Sequence, residues 1–221
     1  MNAVKNIYGG EDPRTLPAYP MVEAARYLAL RPTTLGSWFR GGNPILAADR
    51  DAEQLSFFNL VEAFVLKGLR EEHRLSMQNI RRAVEELRQL YPTFSHPLAQ
   101  LGLSVLNRDL YSDRDGLLVD ASRGGQLGMR RVLELYMNRV DKDPTGATRL
   151  YPFTRTQLEK SPRLVSIDPR ISFGRPVIGG TSIPTAALHD RWKAGDSIVV
   201  LAEDYDRSVE EIEEAVRYEA A

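Results

Sequence analysis

The chain has 221 residues, with 29 basic and 30 acidic side chains, 43% hydrophobic content and no cysteine. That length allows two or three small domains. The missing thiols exclude disulfides, thiolate catalysis and Cys-based metal sites, and no apolar run of about 18 residues offers a membrane span. Residues 1–18 lack a basic-then-apolar signal pattern and are polar and rich in Gly and Pro, so a loose segment and, by default, a cytoplasmic location are expected.

The net charge of −1 hides a gradient. Residues 1–95 carry 12 basic and 11 acidic side chains, residues 96–162 carry 10 and 8, and residues 163–221 carry 7 and 11. Within 196–221, nine acidic side chains stand against Arg207 and Arg217 alone. A stretch that acidic repels a phosphate backbone. It suits a basic protein partner, or else forms a solvated helix face.

Residues 19–95 read as helical. Pro20 opens a short pattern with Val22, Ala25 and Leu28 three residues apart. The break Ala29-Leu30-Arg31-Pro32 leads into Thr33 to Arg40, which Gly41-Gly42 ends. Two short helices with a tight connection are the skeleton of a helix-turn-helix, whose second helix enters the DNA major groove. Leu35 and Trp38 or Phe39 would face inward, with the indole read as packing rather than DNA contact. Thr33, Thr34 and Ser37 have no apolar duty and are base-edge candidates. Arg31 is read as a phosphate contact, and Arg40 stays open between a phosphate and a structural ion pair. From Ala24 to Ala48 there are three arginines and no acid, the bias a DNA-facing surface needs.

Asn43 to Gln54 reads as a loop or short hairpin suited to a wing. Ser56 caps a helix running to about Glu72, with Leu60, Phe64 and Val65 as its stripe. Ser76 caps another, lined by Ile80, Val84, Leu87 and Leu90. This order resembles the winged-helix domain of MerR-type regulators: two short helices, a wing, then a helical pair opened by the step Ser56-Phe57-Phe58. The resemblance implies operator DNA as ligand. It departs at Gly36, where MerR-like sequences place a basic residue that reaches the phosphates. Tight binding by one such domain needs two half-sites about one helical turn apart, so at least a homodimer is expected.

Residues 96–162 suggest a small mixed α/β linker or dimerisation subdomain. Strands are expected over Leu101–Asn107, Leu117–Asp120 and Thr148–Phe153, the first two joined by a turn at Ser112–Gly116. A helix is expected over Gln126–Val140, with Leu127, Val132, Leu135 and Tyr136 inward.

Residues 163–221 begin with a strand-like Leu164-Val165-Ser166-Ile167 and a Gly/Pro-rich loop to Thr181. Pro184 opens a helix with Ile183, Ala187, Leu188, Arg191 and Trp192 at helical spacing, and Gly195 stops it. Asp196 or Ser197 caps the next, with Ile198, Leu201 and Tyr205 on one face. Ser208 and Glu211 form a capping box for the last, whose stripe is Val209, Ile212 and Val216. Three such helices make a homeodomain-like unit, but Glu210, Glu211, Glu213, Glu214 and Glu219 on the last would repel DNA.

The run Gly174-Arg175-Pro176-Val177-Ile178-Gly179-Gly180-Thr181-Ser182-Ile183-Pro184, with Asp204-Tyr205 and Ala215-Val216-Arg217-Tyr218, resembles domain-of-unknown-function family 433, common in antitoxins of VapB type. Ser182 stands where that family usually has Arg. The resemblance implies a PIN-like ribonuclease toxin as partner. The contacts would come from Arg175, Thr181, His189, Arg191, Glu210 and Glu214: the acidic helices cover a basic RNA path, or an arginine (Arg170, Arg175 or Arg191) pairs with metal-binding carboxylates.

Catalysis has little support in the sequence. His73, His96 and His189 lie far apart without metal-ligand spacing. Gly174 to Gly180 lacks a phosphate-loop pattern, and no Gly-x-Ser-x-Gly occurs. The expected chain is mainly α with some β: a winged helix-turn-helix over 19–95, the mixed region over 96–162 and a three-helix unit over 163–221. No cofactor or metal is expected. The reading is an antitoxin of a type II toxin–antitoxin pair; the alternative is a stand-alone MerR-like transcription regulator.

Overall fold

The computed structural model describes residues 8–50, 53–71, 77–102, 106 and 131–220. The protein is mainly helical with three small two-stranded antiparallel sheets among these residues. Strand β1 (Tyr19–Pro20) pairs with β2 (Gln54–Leu55), Tyr19 opposite Leu55. Between them lie α1 (Met21–Tyr27) and α2 (Pro32–Phe39). No strand forms over residues 40–50. That stretch is a loop, held because Ile45 and Leu46 donate their amides to Trp38 O at 2.9 and 3.0 Å and bury their side chains.

Helix α3 (Phe57–Glu71) is the hub of the fold. Its Ser56 cap forms as the sequence predicts, Oγ accepting from Asn59 N at 3.1 Å, and every side chain from Phe57 to Leu66 is buried. Helix α4 (Met77–Leu90) buries Ile80, Ala83, Val84 and Leu87 on one side. Leu90, expected on that stripe, is 55% exposed, because it lies at the end of the helix. The short α5 (Pro97–Gln100) follows. The Ser76 cap, the strand over Leu117–Asp120 and its turn lie outside the described residues. The strand expected over Leu101–Asn107 does not form where it can be followed: Leu106 is helical, its amide bonded to Gly102 O at 3.0 Å.

Helix α6, described over 131–137, inserts Leu133, Tyr136 and Met137 into the same core as α3. Tyr136, Phe64 and Phe153 form an aromatic triangle with centroids 4.7 to 5.6 Å apart. Gly68 of α3 makes the approach feasible, since a Cβ there would lie 2.7 Å from the Tyr136 ring. Gly68→Ala is therefore expected to cost about 1–3 kcal/mol by overpacking. Gly36→Ala, whose methyl would meet nothing nearer than Arg40 Nη1 at 4.0 Å, is expected to stabilise α2 by up to about 1 kcal/mol. Thermal melts of the two variants should shift in opposite directions; a Gly68→Ala melt equal to wild type would mean α6 does not press on α3.

Val140 opens a strand rather than closing the preceding helix. The hairpin β3 (Val140–Asp143) and β4 (Gly146–Leu150) is closed by Gly146 at φ 133°. The strand expected over Thr148–Phe153 thus ends at Leu150. Residues 151–162 form no strand and only a short 3-10 turn at Leu158–Lys160, and the buried Arg139 guanidinium collects their carbonyls. It donates to Tyr151 O, Pro152 O, Ser161 O and Pro162 O at 2.8, 2.8, 2.8 and 2.9 Å, and lies over the Phe153 ring. Burial and the nearby Arg163 charge push it down to about 10, still charged at neutral pH.

The remaining elements are β5 (Val165–Ser166), β6 (Val177–Ile178), α7 (Thr185–Lys193), α8 (Ile198–Tyr205) and α9 (Val209–Ala220). Val165 pairs with Ile178, so the loop between them closes on itself. Ser197 caps α8 through Val200 N at 3.3 Å, and the Ser208–Glu211 box caps α9. Ile178, Leu188, Leu201, Ile212, Ala215 and Val216 form a second core. Tyr218 belongs instead to the first, its hydroxyl donating to Tyr27 O at 3.2 Å.

The segment expected to be loose is tied down from Tyr8 onward. Tyr8 OH donates to Pro169 O at 2.8 Å, and Arg14 joins Asp12 at 2.6 Å to Asp143 at 3.2 Å.

Candidate functional site

Helices α1 and α2 carry the residues expected to face DNA. The turn between them is a Schellman closure, Leu30 N–H donating to Ala25 O at 2.8 Å with Ala29 left-handed at φ 48°. That conformation is unfavourable for a residue with a side chain. Lys67 of α3 supports it by donating to Leu28 O at 2.8 Å and Ala29 O at 3.4 Å. Leu35, Trp38 and Phe39 are buried; Arg31, Thr33, Ser37 and Arg40 are exposed, and Thr34 is half-buried. Thr33 and Ser37 lie four residues apart, which puts them on one face of α2, and Arg40, with extended backbone, ends the helix just beyond them. Ser37 Oγ donates to Thr34 O at 2.7 Å.

The second surface is built on residues 168–184 and α7 to α9. Asp168 anchors the loop from inside: it accepts from Arg170 Nε and Nη2 at 2.9 Å each and from Arg149 at 3.4 Å. Burial pushes its carboxyl up, but the Arg170 hydrogen bonds and the two arginine charges outweigh burial and hold it below the usual range. Ser172 and Phe173 are both left-handed, at φ 48° and 56°, ahead of Gly174 at 77°. Two such residues in a row store strain. The turn presents Phe173 with 73% of its surface exposed. It is held by Ser172 Oγ donating to Ser182 O at 3.1 Å, and by Tyr19 seated where Gly174 has no side chain.

The residues expected to meet a partner divide sharply. Arg175 is exposed, with no ion pair among the described residues, and Glu210 is 65% exposed, 3.8 Å from Arg155. Thr181 shapes its own turn, donating to Ile178 O at 2.9 Å and accepting from Ile183 N at 3.1 Å. His189 is buried and stacks on Trp192. Arg191 spans α7 and α8, reaching Asp196 and Asp204 at 2.6 Å each and lying over Tyr205. Glu214 is fully buried, accepting from Arg155 Nη2 at 2.6 Å, from Arg217 and from Thr154. Glu219 is likewise turned inward, onto Arg26 of α1 and Thr185 at the start of α7. The acids of α9 are thus not one solvated stripe; two of them hold the last helix to the rest of the protein.

Helical spacing placed Trp192 and Val209 inside, yet they are 42% and 44% exposed. Val199 and Val200, at 55% and 43%, begin α8 just after the turn that follows Trp192. With Phe173 they add exposed apolar surface to the C-terminal unit. Phe173 gave no signal in the sequence, because its exposure follows from a left-handed turn that no non-glycine residue announces.

A third cluster lies at the centre of the first core. His96 is buried, with Nδ1 3.1 Å from Glu62 and Nε2 2.9 Å from Asp49. Burial opposes its charge, but hydrogen bonds to Asp49 and Glu62 and their charges raise it to about 9. Lys142 donates to Leu101 O at 2.5 Å; burial pushes it down to about 7 against the attraction of Glu62.

The described residues hold no group of three or more His, Asp or Glu side chains arranged to hold a metal ion and no helix long and apolar enough to cross a membrane. What they define is a mainly helical protein with two outward-facing helical surfaces, the second of which has a family counterpart. Residues 165–218 match the family described as "Protein of unknown function (DUF433)". Over 232 aligned residues the chain is 27% identical to "Putative antitoxin VapB45" of Mycobacterium tuberculosis (strain ATCC 25618 / H37Rv), across 91% of this chain and 93% of that one. The crystal structure of Rv2018 from Mycobacterium tuberculosis superposes with a TM-score of 0.70 at 23% identity, covering 91% of this chain and 98% of the other. The last likeness is one of fold.

Proposed function

We propose that this chain is the antitoxin of a type II toxin–antitoxin pair. Its α1–α2 unit, within residues 19–95, binds operator DNA in the winged-helix manner. Its homeodomain-like unit over 163–221 neutralises a PIN-like ribonuclease, the chain working as at least a homodimer in the cytoplasm. The observation that carries the reading is the similarity to "Putative antitoxin VapB45" along 91% of the chain. On the DNA side it is supported by the exposed Thr33, Ser37 and Arg40, with Arg31 beside them. On the toxin side it is supported by the exposed Phe173, Arg175 and Glu210.

With Thr181, His189, Arg191 and Glu214 committed to internal contacts, neutralisation rests on the loop and the apolar corner of α7 and α8. An apolar anchor beside a free guanidinium suits a nuclease that keeps carboxylates next to its RNA path.

The test co-expresses the full chain with a PIN-like nuclease encoded beside it and measures RNA cleavage by the purified complex. Phe173→Ser with Arg175→Gln should release the nuclease and weaken protection at least about tenfold, the loss of a hot spot worth more than about 1.4 kcal/mol. Co-purification with full protection by that variant would move the interface elsewhere. Failure of the wild-type pair to associate would favour a stand-alone regulator.

A further inference from the structure

We infer that the cavity at the amino-terminal end of α2 seats one phosphate of the DNA backbone, gripped by Arg31, Arg70 and the Trp38 indole. The assignment rests on the DNA-binding reading of α1 and α2. The cavity has a volume of about 340 Å³ and is lined by Ala29, Leu30, Arg31, Thr34, Trp38 and Arg70.

Three separate properties suit an oxyanion there. The first is the open end of α2. Arg31 at the cap position makes no side-chain capping bond, Pro32 has no N–H, and the first engaged amide is Leu35, bonded to Arg31 O at 3.0 Å. The Thr33 and Thr34 amides thus form the unsatisfied, partly positive end of the helix.

The second property is a buried donor with nothing to bond. Trp38 is 1% exposed, and its Nε1–H has no hydrogen-bond partner among the described residues. Side chains on a helix lean towards its amino end, which carries the indole back over Thr34, one turn earlier, on the wall of this cavity. As pure packing the residue would be better served by phenylalanine, since an unpaired buried donor is unfavourable. A phosphate oxygen satisfies it.

The third property is charge. Arg31 comes from the turn and Arg70 from α3, and among the described residues neither has an ion-pair partner and no acid lines the cavity. Every side-chain group with a charge here is a donor, and guanidinium groups match phosphate geometry. A phosphate held at this end would fix the register of the Thr33–Ser37 face on the bases.

Free phosphate shares the chemistry, so the experiment separates the two sources. The chain has two tryptophans; Trp192→Phe identifies the Trp38 indole N–H signal in a nitrogen–proton spectrum. That signal is followed while adding a duplex from upstream of the protein's own gene or, separately, inorganic phosphate.

The duplex should move the Trp38 signal. Arg70→Gln should lower duplex affinity and make its log–log salt dependence shallower by about 0.9, the signature of one phosphate contact. Arg31→Gln with Arg70→Gln should lose about the same 0.9 rather than roughly 1.8, because both groups hold one phosphate. Arg70→Lys should restore most of the slope. If Arg70→Gln loses its circular dichroism signal, Arg31→Gln carries the comparison.

Duplex binding that leaves the Trp38 signal and the Arg70→Gln slope unchanged overturns the proposal while DNA binding stands. A signal moved by inorganic phosphate but not by bound duplex overturns the backbone assignment in favour of a free anion. No duplex binding at low salt overturns the proposal and the DNA-binding reading together.

Discussion

Replacing Arg139 with Ala is expected to destabilise this protein by about 4 kcal/mol or more, since each carbonyl left unpaired in the interior costs about 1–3 kcal/mol. The guanidinium supplies hydrogen bonds to four of them, from Tyr151, Pro152, Ser161 and Pro162. Residues 151–162 have no strand ladder to fall back on, so one side chain takes the place of a sheet. Arg139→Lys keeps a charge but offers three donors from a single atom, and should recover only part of the loss. Urea unfolding midpoints of the two variants would check this. An Arg139→Ala unfolding free energy within about 1 kcal/mol of wild type would mean water reaches the carbonyls.

The contribution of His96 to stability is expected to fall by about 3 kcal/mol as pH rises from 6.5 to 9. The imidazole is raised to about 9 in the fold, against about 6.5 in an unfolded chain. A raised base stabilises fully below its unfolded value and loses that contribution as pH climbs through the folded one. The gap of about 2.5 units at about 1.4 kcal/mol each sets the magnitude.

Lys142 works in the opposite sense. Because burial depresses it to about 7, folding gains as pH rises from there towards the ordinary lysine value. The raw stability curve therefore partly cancels, and the measurement is a difference. The gap between wild type and His96→Gln should be widest near pH 6 and narrow steadily to pH 9. A gap independent of pH would mean that His96 is neutral between Asp49 and Glu62.

Local signals in the sequence translated well into structure. The Ser56 cap, the Ser208–Glu211 box and the Gly41 and Gly195 stops mark helix ends correctly, because a cap is written in three or four neighbouring residues, whereas Pro32, read as part of the break, is the first residue of α2. The outward placement of Arg31, Thr33, Ser37 and Arg40 was legible for the same reason. Periodicity failed where it had to name what covers an apolar stripe. Trp192 and Val209 keep helical spacing but face outward, since the small C-terminal core is filled by Ile178, Leu188, Leu201 and Ile212.

The acids of α9 were harder still. Glu214 and Glu219 look like their neighbours Glu210 and Glu213, and partners outside the helix, among them Arg155 and Arg26 at 59 and 193 residues away, turn them inward. The Arg139 clamp and the His96 cluster were invisible for that reason too: they consist of long-range partners and leave no local pattern.

Tyr218 has a consequence for how this protein comes into being and how it is destroyed. The hydroxyl that bonds Tyr27 O, and the ring that closes the core begun by Tyr19, lie almost 200 residues downstream of the helices they complete. Such a contact closes late, because the loop entropy of everything between must be overcome first. During synthesis α1 waits unfinished until residue 218 has emerged. The converse holds for a finished molecule: a protease that trims α9 removes Tyr218 and Glu219 from beneath α1, and the amino-terminal helices lose their floor without being touched.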